Sequence, residues 1–267
     1  MLERTRLACS LAREAGELIR EAFGRRRSVE FKSAVDLVTD VDRAAQALIL
    51  EGIRRAFPAD TVVAEEDGAS APDRSGSGPC WYVDPLDGTT NFVHSLPHFA
   101  VSIAWHEHGR PHGAAVYDPS RDELFHAELG EGAFLGDLRL VVSEAAELDR
   151  ALLVTGFPYD RRAHVDRYLE SFREFLCIAR DVRRYGSASL DLCYVAAGRF
   201  DGFWEWGLAP WDTAAGALLL LEAGGRISDF NGGPWDPWMP RILASNGRIH
   251  DQMKAVMARA SGPGRGA

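Results

Sequence analysis

The sequence predicts a mixed α/β protein. Two amphipathic helices open the chain, closely spaced strands fill residues 100–142, and strands alternate with helices beyond Ala151. Leu7, Leu11, Ala15, Leu18 and Ala22 recur at helical spacing and Gly24 stops them, so the chain begins with a helix that buries one face. Val41, Ala45, Leu48, Ile49, Ile53 and Phe57 define a second helix, closed by Pro58. Thr61-Val62-Val63-Ala64 and Trp81-Tyr82-Val83 are β-branched or aromatic runs. They read as strands that deliver Glu65, Glu66 and Asp84 at their ends. Residues 67–79, rich in Gly, Ser, Pro and Asp, read as a mobile surface loop between them.

Strand-like segments at 100–105, 113–117, 123–128 and 138–142, with turn residues between them, predict an antiparallel sheet. Further on, strands at 152–154 and 226–228 alternate with helices at 165–180, 189–197 and 212–223. The last seven residues, 261–267, have nothing to bury and read as a disordered tail.

With 267 residues, 46% of them hydrophobic and 26% charged, the chain can form a substantial core. A net charge of -9 and a pI near 5.4 argue against direct nucleic-acid or acidic-membrane binding, which depends on clustered Lys and Arg. An acidic enzyme acting on an anion needs cations inside its site. Cys9, Cys80, Cys177 and Cys193 lie far apart without CxxC spacing, which predicts reduced thiols rather than a disulfide framework or zinc site. Arg13, Glu14 and Glu17 break the first apolar stretch before a signal peptide forms, and no transmembrane run follows. The expected location is cytoplasmic.

Asp84 and Asp87 stand three apart across Pro85-Leu86, directly after an apolar strand and before Gly88-Thr89-Thr90-Asn91. Read as a turn, this segment aims two carboxylates and the Leu86 carbonyl at one point, a donor set suited to the hard cation Mg²⁺. Gly88 lets a phosphate approach the backbone, and a helix starting at Thr89 offers free N–H groups to it. The plain alternative is a capped Asp-Gly turn. An EF-hand needs acidic residues at alternate positions, and a phosphoaspartyl enzyme places its carboxylates two apart; the spacing fits neither.

A second signal lies at Trp211-Asp212-Thr213-Ala214-Ala215-Gly216, where Asp212 heads an apolar helix that ends in Glu222-Ala223-Gly224-Gly225. As an N-cap Asp212 stabilises that helix by about 1 kcal/mol, and the same position allows it to face a metal. Asp42, at the start of the second helix, reads by itself as a cap. His94 and His98 read as structural or surface groups, since carboxylates already supply ligands suited to Mg²⁺.

The segments 81–92 and 211–216 with 222–225 closely resemble the paired signatures of the inositol monophosphatase family. Lys32-Ser33, Asp36-Leu37-Val38-Thr39 with Asp42, Glu65-Glu66, and Gly186-Ser187-Ala188 through Asp201-Gly202 resemble further family blocks in order. The resemblance implies a layered α-β-α-β-α sandwich. It implies one catalytic domain over 1–260, with halves meeting near residue 150, that acts as a homodimer.

It also implies hydrolysis of a small phosphate monoester with two to three Mg²⁺ ions and sensitivity to lithium. Glu65, Asp84 and the Leu86 carbonyl hold one ion on this reading, and Asp84, Asp87 and Asp212 a second. Glu65 also reaches toward a third. Asp42, Thr89 and Glu65 are the implied catalytic residues, with Thr89 and Asp42 orienting and deprotonating water. Gly88 and Thr89 bind phosphate, and Asp87, Ala188 and Glu205 bind the alcohol. Inositol-1-phosphate is the expected substrate. Fructose-1,6-bisphosphate, histidinol phosphate and 3′-phosphoadenosine 5′-phosphate are the alternatives, and a bisphosphate would require a further basic pocket from Arg161, Arg162, Arg183 or Arg184. A regulatory binding role in a transcription complex is the alternative of another class.

Overall fold

Two β-sheets with a helical layer between them organise the chain. The computed structural model describes residues 1–24, 29–31, 37–67 and 78–260. The readings of Lys32, Ser33 and Asp36, of most of the 67–79 loop and of the 261–267 tail lie outside the described residues.

Helix α1, Glu3–Ala22, is followed by a short hairpin of β1, Val29–Phe31, and β2, Leu37–Thr39, and then by α2, Asp40–Ala56. The first sheet takes its seven strands in chain order. They are β3, Thr61–Ala64; β4, Cys80–Asp87; β5, Ala100–Glu107; β6, Arg110–Asp118; β7, Glu123–Glu128; β8, Gly132–Leu135; and β9, Leu138–Arg139. Only the β3–β4 pair is parallel. Between β4 and β5 lies the short helix α3, Thr89–Val93. The expected strand at 138–142 stops after Arg139; Leu140 turns away, hydrogen-bonded through its N–H to Ala133.

The second half of the chain supplies β10, Leu152–Thr155; α4, Val165–Ile178; β11, Asp181–Arg183; α5, Ala188–Ala196; β12, Gly202–Trp206; α6, Pro210–Glu222; β13, Arg226–Ser228; β14, Arg241–Ser245; and α7, His250–Ala260. Its five strands run in the order β11-β10-β12-β14-β13. Helices α1 and α2 cover the outer face of the first sheet, α5 and α6 fill the space between the sheets, and α4 and α7 pack together outside the second. The result is five layers, α-β-α-β-α.

Composition explains the layering. α5 and α6 are apolar all round, as a helix buried on both sides must be, whereas α1, α2 and α4 are amphipathic and sit outside. Three apolar cores follow: one under α1 and α2, one under α4 and α7, and one that surrounds α5 and α6 and reaches both sheets. Among the described residues no helix is long and apolar enough to cross a membrane.

Candidate metal and phosphate site

The Asp84–Asp87 segment is a bulge inside β4 rather than the turn expected from its sequence. Side chains of a regular strand alternate, so residues three apart face opposite sides of the sheet. Here Asp84 pairs with Ser102 and Asp87 with Ala100, so three steps on β4 match two on β5. The extra residue brings both aspartates to one face, and Pro85 is tolerated because a bulge leaves a ladder N–H unneeded. That face looks onto the start of α6, where Ser102 Oγ donates to the Trp211 carbonyl at 3.2 Å.

Asp212 is the third residue of α6 and not its N-cap, which is Ala209; its Oδ2 accepts from the Ala209 N–H at 2.7 Å. It still satisfies one of the free donors that begin the helix, as a cap would. Glu65 begins the 3₁₀ turn after β3, the strand paired in parallel with β4. Asp84 is 2% exposed. Burial pushes its pKa well up, and the charges of Glu65, Asp87 and Asp212 push it further. Asp212 is raised by its surroundings and by Asp87 and Glu65.

Four carboxyl groups thus crowd together with no cation among the main influences on Asp84. Among the described residues no three acidic, histidine or cysteine side chains close on one point as a finished cage. The fit to Mg²⁺ therefore rests on donor chemistry. Each aspartate has an oxygen tied by the protein: Asp84 Oδ1 to the Leu86 N–H at 3.0 Å, with a side-chain hydrogen bond shared with Glu65 besides, Asp87 Oδ2 to α5, and Asp212 Oδ2 to Ala209. The remaining hard oxygens, with no neutralising charge of their own, suit a divalent cation.

Gly88 follows with φ 94°, and a Cβ there would lie 3.0 Å from the His98 carbonyl, so only glycine fits. Thr89 begins α3, five residues long and therefore a weaker dipole than the expected helix, although its first N–H groups have no intrahelical partners. Thr89 Oγ1 lies 3.1 Å from Asp42 Oδ1 and 3.0 Å from the Leu86 carbonyl. Its single proton serves one acceptor at a time.

Asp42 has two jobs. It completes a capping box with Thr39, whose N–H it accepts at 2.9 Å, and its other oxygen faces Thr89. Burial raises its pKa, which the hydrogen bonds from Thr39 and Thr89 oppose. Capping and facing the site are parts of one geometry.

The site opens into a cleft of about 380 Å³ lined by Asp87 through Thr90, by Ala188 and by Asp212. Glu205 lines it too, and is buried in β12 rather than in a solvated loop. Trp204 and Trp206 point into the outer core while Glu205, between them, faces inward over Gly156, whose missing side chain makes room for its carboxyl. Burial raises Glu205 to about 8, opposed by Arg184 and reinforced by Asp87. Ala188 begins α5, and its backbone N–H favours the ionised form of Asp87.

Of the four arginines considered for a second anion, Arg161 and Arg184 line the cleft, and Arg183 is ion-paired with Asp181 outside it. His94 is exposed, and His98 is buried against Tyr185 and Tyr194 with its pKa lowered to about 4 by burial.

Three residues received no site role from the sequence, although they fall within the block from Gly186-Ser187-Ala188 to Asp201-Gly202. Ser187 and Ser189 donate to Asp87, and Asp191 is 0% exposed with no hydrogen-bond partner for either oxygen among the described residues. Burial, then Glu205 and Asp87, raise Asp191 well up. Only the GSAS-D spacing at the head of an apolar helix could have flagged them, and Ser or Asp there is ordinarily a cap.

A bulged strand gathers acidic oxygens beneath the start of a small helix in a five-layer α/β sandwich, a donor set whose chemistry suits a divalent cation. The chain belongs to the inositol monophosphatase family, whose sequence model matches residues 1–261. The protein called Nus factor SuhB in Pseudomonas aeruginosa is 50% identical over 230 residues, 85% of each chain. Its Escherichia coli K12 counterpart, also called Nus factor SuhB, is 47% identical over 253 residues, 94% of each. Among solved structures, the inositol monophosphatase from Anabaena (Nostoc) sp. PCC 7120 superposes with a TM-score of 0.86 at 40% identity, covering 96% of this chain and 95% of that one. The family is one of phosphatases and generally uses Mg²⁺.

Proposed function

We propose that this protein hydrolyses a small phosphate monoester, inositol-1-phosphate foremost, as a single catalytic domain that uses two to three Mg²⁺ ions. The observation that carries the reading is the cluster of Glu65, Asp84, Asp87 and Asp212, with Asp84 and Asp87 buried at its centre, beside Gly88 and the start of α3. Glu65, Asp84 and the Leu86 carbonyl would hold one ion, and Asp84, Asp87 and Asp212 a second. Bound Mg²⁺ supplies positive charge that neutralises phosphate and leaving group and favours ionised water.

The chain's own residues do the rest. Thr89 Oγ1 gives its proton toward Asp42 Oδ1 and accepts from the attacking water. The N–H groups of Gly88 and Thr89 orient phosphate, and positioning with charge neutralisation suffices without a covalent intermediate. Glu205, raised to about 8 beside Asp87 and Ala188, both donates to and accepts from an alcohol's hydroxyls near neutral pH.

The test is phosphate release from inositol-1-phosphate, fructose-1,6-bisphosphate, histidinol phosphate and 3′-phosphoadenosine 5′-phosphate, compared by kcat/KM. Inositol-1-phosphate should rank first. Because Arg161 and Arg184 line the cleft, a higher rank for a bisphosphate would reassign the substrate. No hydrolysis of any would sink the enzymatic reading. Li⁺ titrated against Mg²⁺ should inhibit.

Two further parts of the proposal concern partners. The relatives' name, Nus factor, supports a second, regulatory role in a transcription complex, separable from catalysis if Asp87→Asn still captures the partners that wild type does. A homodimer fits the exposed apolar stripe of α4, where Val165, Leu169 and Leu176 recur at helical spacing and Leu169 is 50% exposed. Leu169→Glu is expected to convert the dimer to monomer in light scattering; an unchanged mass would remove this face from the interface. Free thiols at Cys9, Cys80, Cys177 and Cys193 fit a cytoplasmic setting.

A further inference from the structure

Asp87 Oδ2 accepts three hydrogen bonds: from Ser187 Oγ at 2.7 Å, from Ser189 Oγ at 2.5 Å and from the Ser189 N–H at 2.8 Å. All three donors come from the head of α5, with Ser187 100 residues and Ser189 102 residues further along the chain. By contrast, Asp84 and Asp212 are tied by backbone N–H groups two and three residues away. Ser187 is 1% exposed and Ser189 0%. A carboxylate has about four lone-pair sites in all, so three donors saturate Oδ2; even with the Ala188 N–H also favouring the ionised group, Oδ1 is the oxygen with room for a cation.

We propose that Ser187 and Ser189 are positioning residues for the metal site, clamping Asp87 so that it serves as a single-oxygen ligand and so favouring Mg²⁺ over Ca²⁺. The inference rests on the Mg²⁺ reading above. The terminal torsion of an aspartate is broad and roughly two-fold, so an unclamped Asp87 can turn both oxygens toward one cation. Ca²⁺ accepts that bidentate grip, whereas Mg²⁺ demands near-octahedral geometry at short distance. The clamp also joins β4 in the first sheet to the middle helical layer, so metal capture depends on α5 being docked.

The experiment is calorimetric titration of Mg²⁺ and of Ca²⁺ into metal-free wild type, Ser187→Ala, Ser189→Ala, the double variant and Ser189→Cys. Loss of a group that orients a ligand typically weakens metal binding by about 10–100-fold. Each alanine variant should lose Mg²⁺ affinity within that range while Ca²⁺ falls less. The Mg²⁺ concentration for half-maximal phosphate release should rise by a similar factor, with kcat at saturating Mg²⁺ largely kept. Ser189→Cys preserves volume but donates weakly, so it should resemble Ser189→Ala.

Serine variants that bind Mg²⁺ as tightly as wild type would overturn the clamp. So would equal losses for both cations, or recovery in Ser189→Cys, which would make the serines packing residues. If the double variant does not fold, the single variants carry the test. Wild type that binds no Mg²⁺ would overturn the metal reading and the clamp with it, whereas Mg²⁺-binding wild type with unaffected variants overturns the clamp alone.

Discussion

Asp84→Asn is expected to remove Mg²⁺-dependent phosphate release while leaving a folded protein that, without metal, melts no lower than wild type. Asp84 is the carboxylate shared by both implied ions, so its loss breaks both coordination sets. A metal's contribution of several kcal/mol to the transition state corresponds to about 10³-fold in rate. The stability half follows from burial: at 2% exposure, facing Glu65, Asp87 and Asp212, an ionised Asp84 is costly, and an amide of the same shape is not.

Asp87→Asn should also lose nearly all activity and stay folded, because an asparagine can keep its oxygen toward the three α5 donors and present only an NH₂ to the metal. Phosphate release and thermal melting with and without Mg²⁺ decide both. Activity of Asp84→Asn within tenfold of wild type would end the bridging role, and a marked fall in metal-free melting temperature would show Asp84 to be a folding residue.

The site was legible where a chemical residue closes a strong apolar segment. Val41 to Phe57, Thr61 to Ala64 and Trp81 to Val83 announce their elements by period, and Asp42, Glu65 and Asp84 stand at their ends. The bulge was not legible, because Asp-Pro-Leu-Asp-Gly contains every local mark of a turn; pairing with β5 keeps it extended to Asp87. Strand β12 was missed because Gly202 and Glu205 interrupt its apolar run, and only the cleft on its inner face explains a glutamate between two core tryptophans. Strand β14 and α7 were not read from the sequence either; β14 pairs with β12 and α7 packs on α4.

The hydrogen bonds to Asp87 from Ser187 and Ser189 span about a hundred residues, and nothing local in Gly186-Ser187-Ala188-Ser189 points to Asp87. Ligands held by their own strand or helix can be read from sequence. Groups that orient a ligand from another layer require the fold.

Metal-free protein is expected to lose stability as pH rises above about 6.5, and Mg²⁺ to restore more of it the higher the pH. Asp84, Asp87, Asp212 and Asp191 all have pKa values raised by burial, and Glu205 is raised from 4.5 to about 8. A group raised in the folded state binds its proton more tightly there than in the unfolded chain. Its stabilisation is complete below the unfolded value and is lost as pH climbs through the folded one. For Glu205 that window runs from 4.5 to about 8.

His98, His106 and His250 act in the opposite sense, being lowered by burial from 6.5 to about 4; they contribute stability above 6.5 that is lost as pH falls. The two sets oppose each other below 6.5, and above it the carboxyls act without that opposition. A net loss of a few kcal/mol corresponds to roughly 5–10 °C for a chain of this size. Mg²⁺ reverses the trend because it competes with protons for the same oxygens, and its hold tightens as those protons leave. Melting curves at pH 6.5, 7.5 and 8.5, in chelator and in Mg²⁺, measure both slopes. A chelated protein whose melting temperature stays level or rises across that range, or a Mg²⁺ increment that does not grow with pH, would mean that these carboxyls do not hold their protons in the folded state. The crowded acidic group would then be balanced by the protein itself, and the case for a divalent cation drawn from its charge would fall.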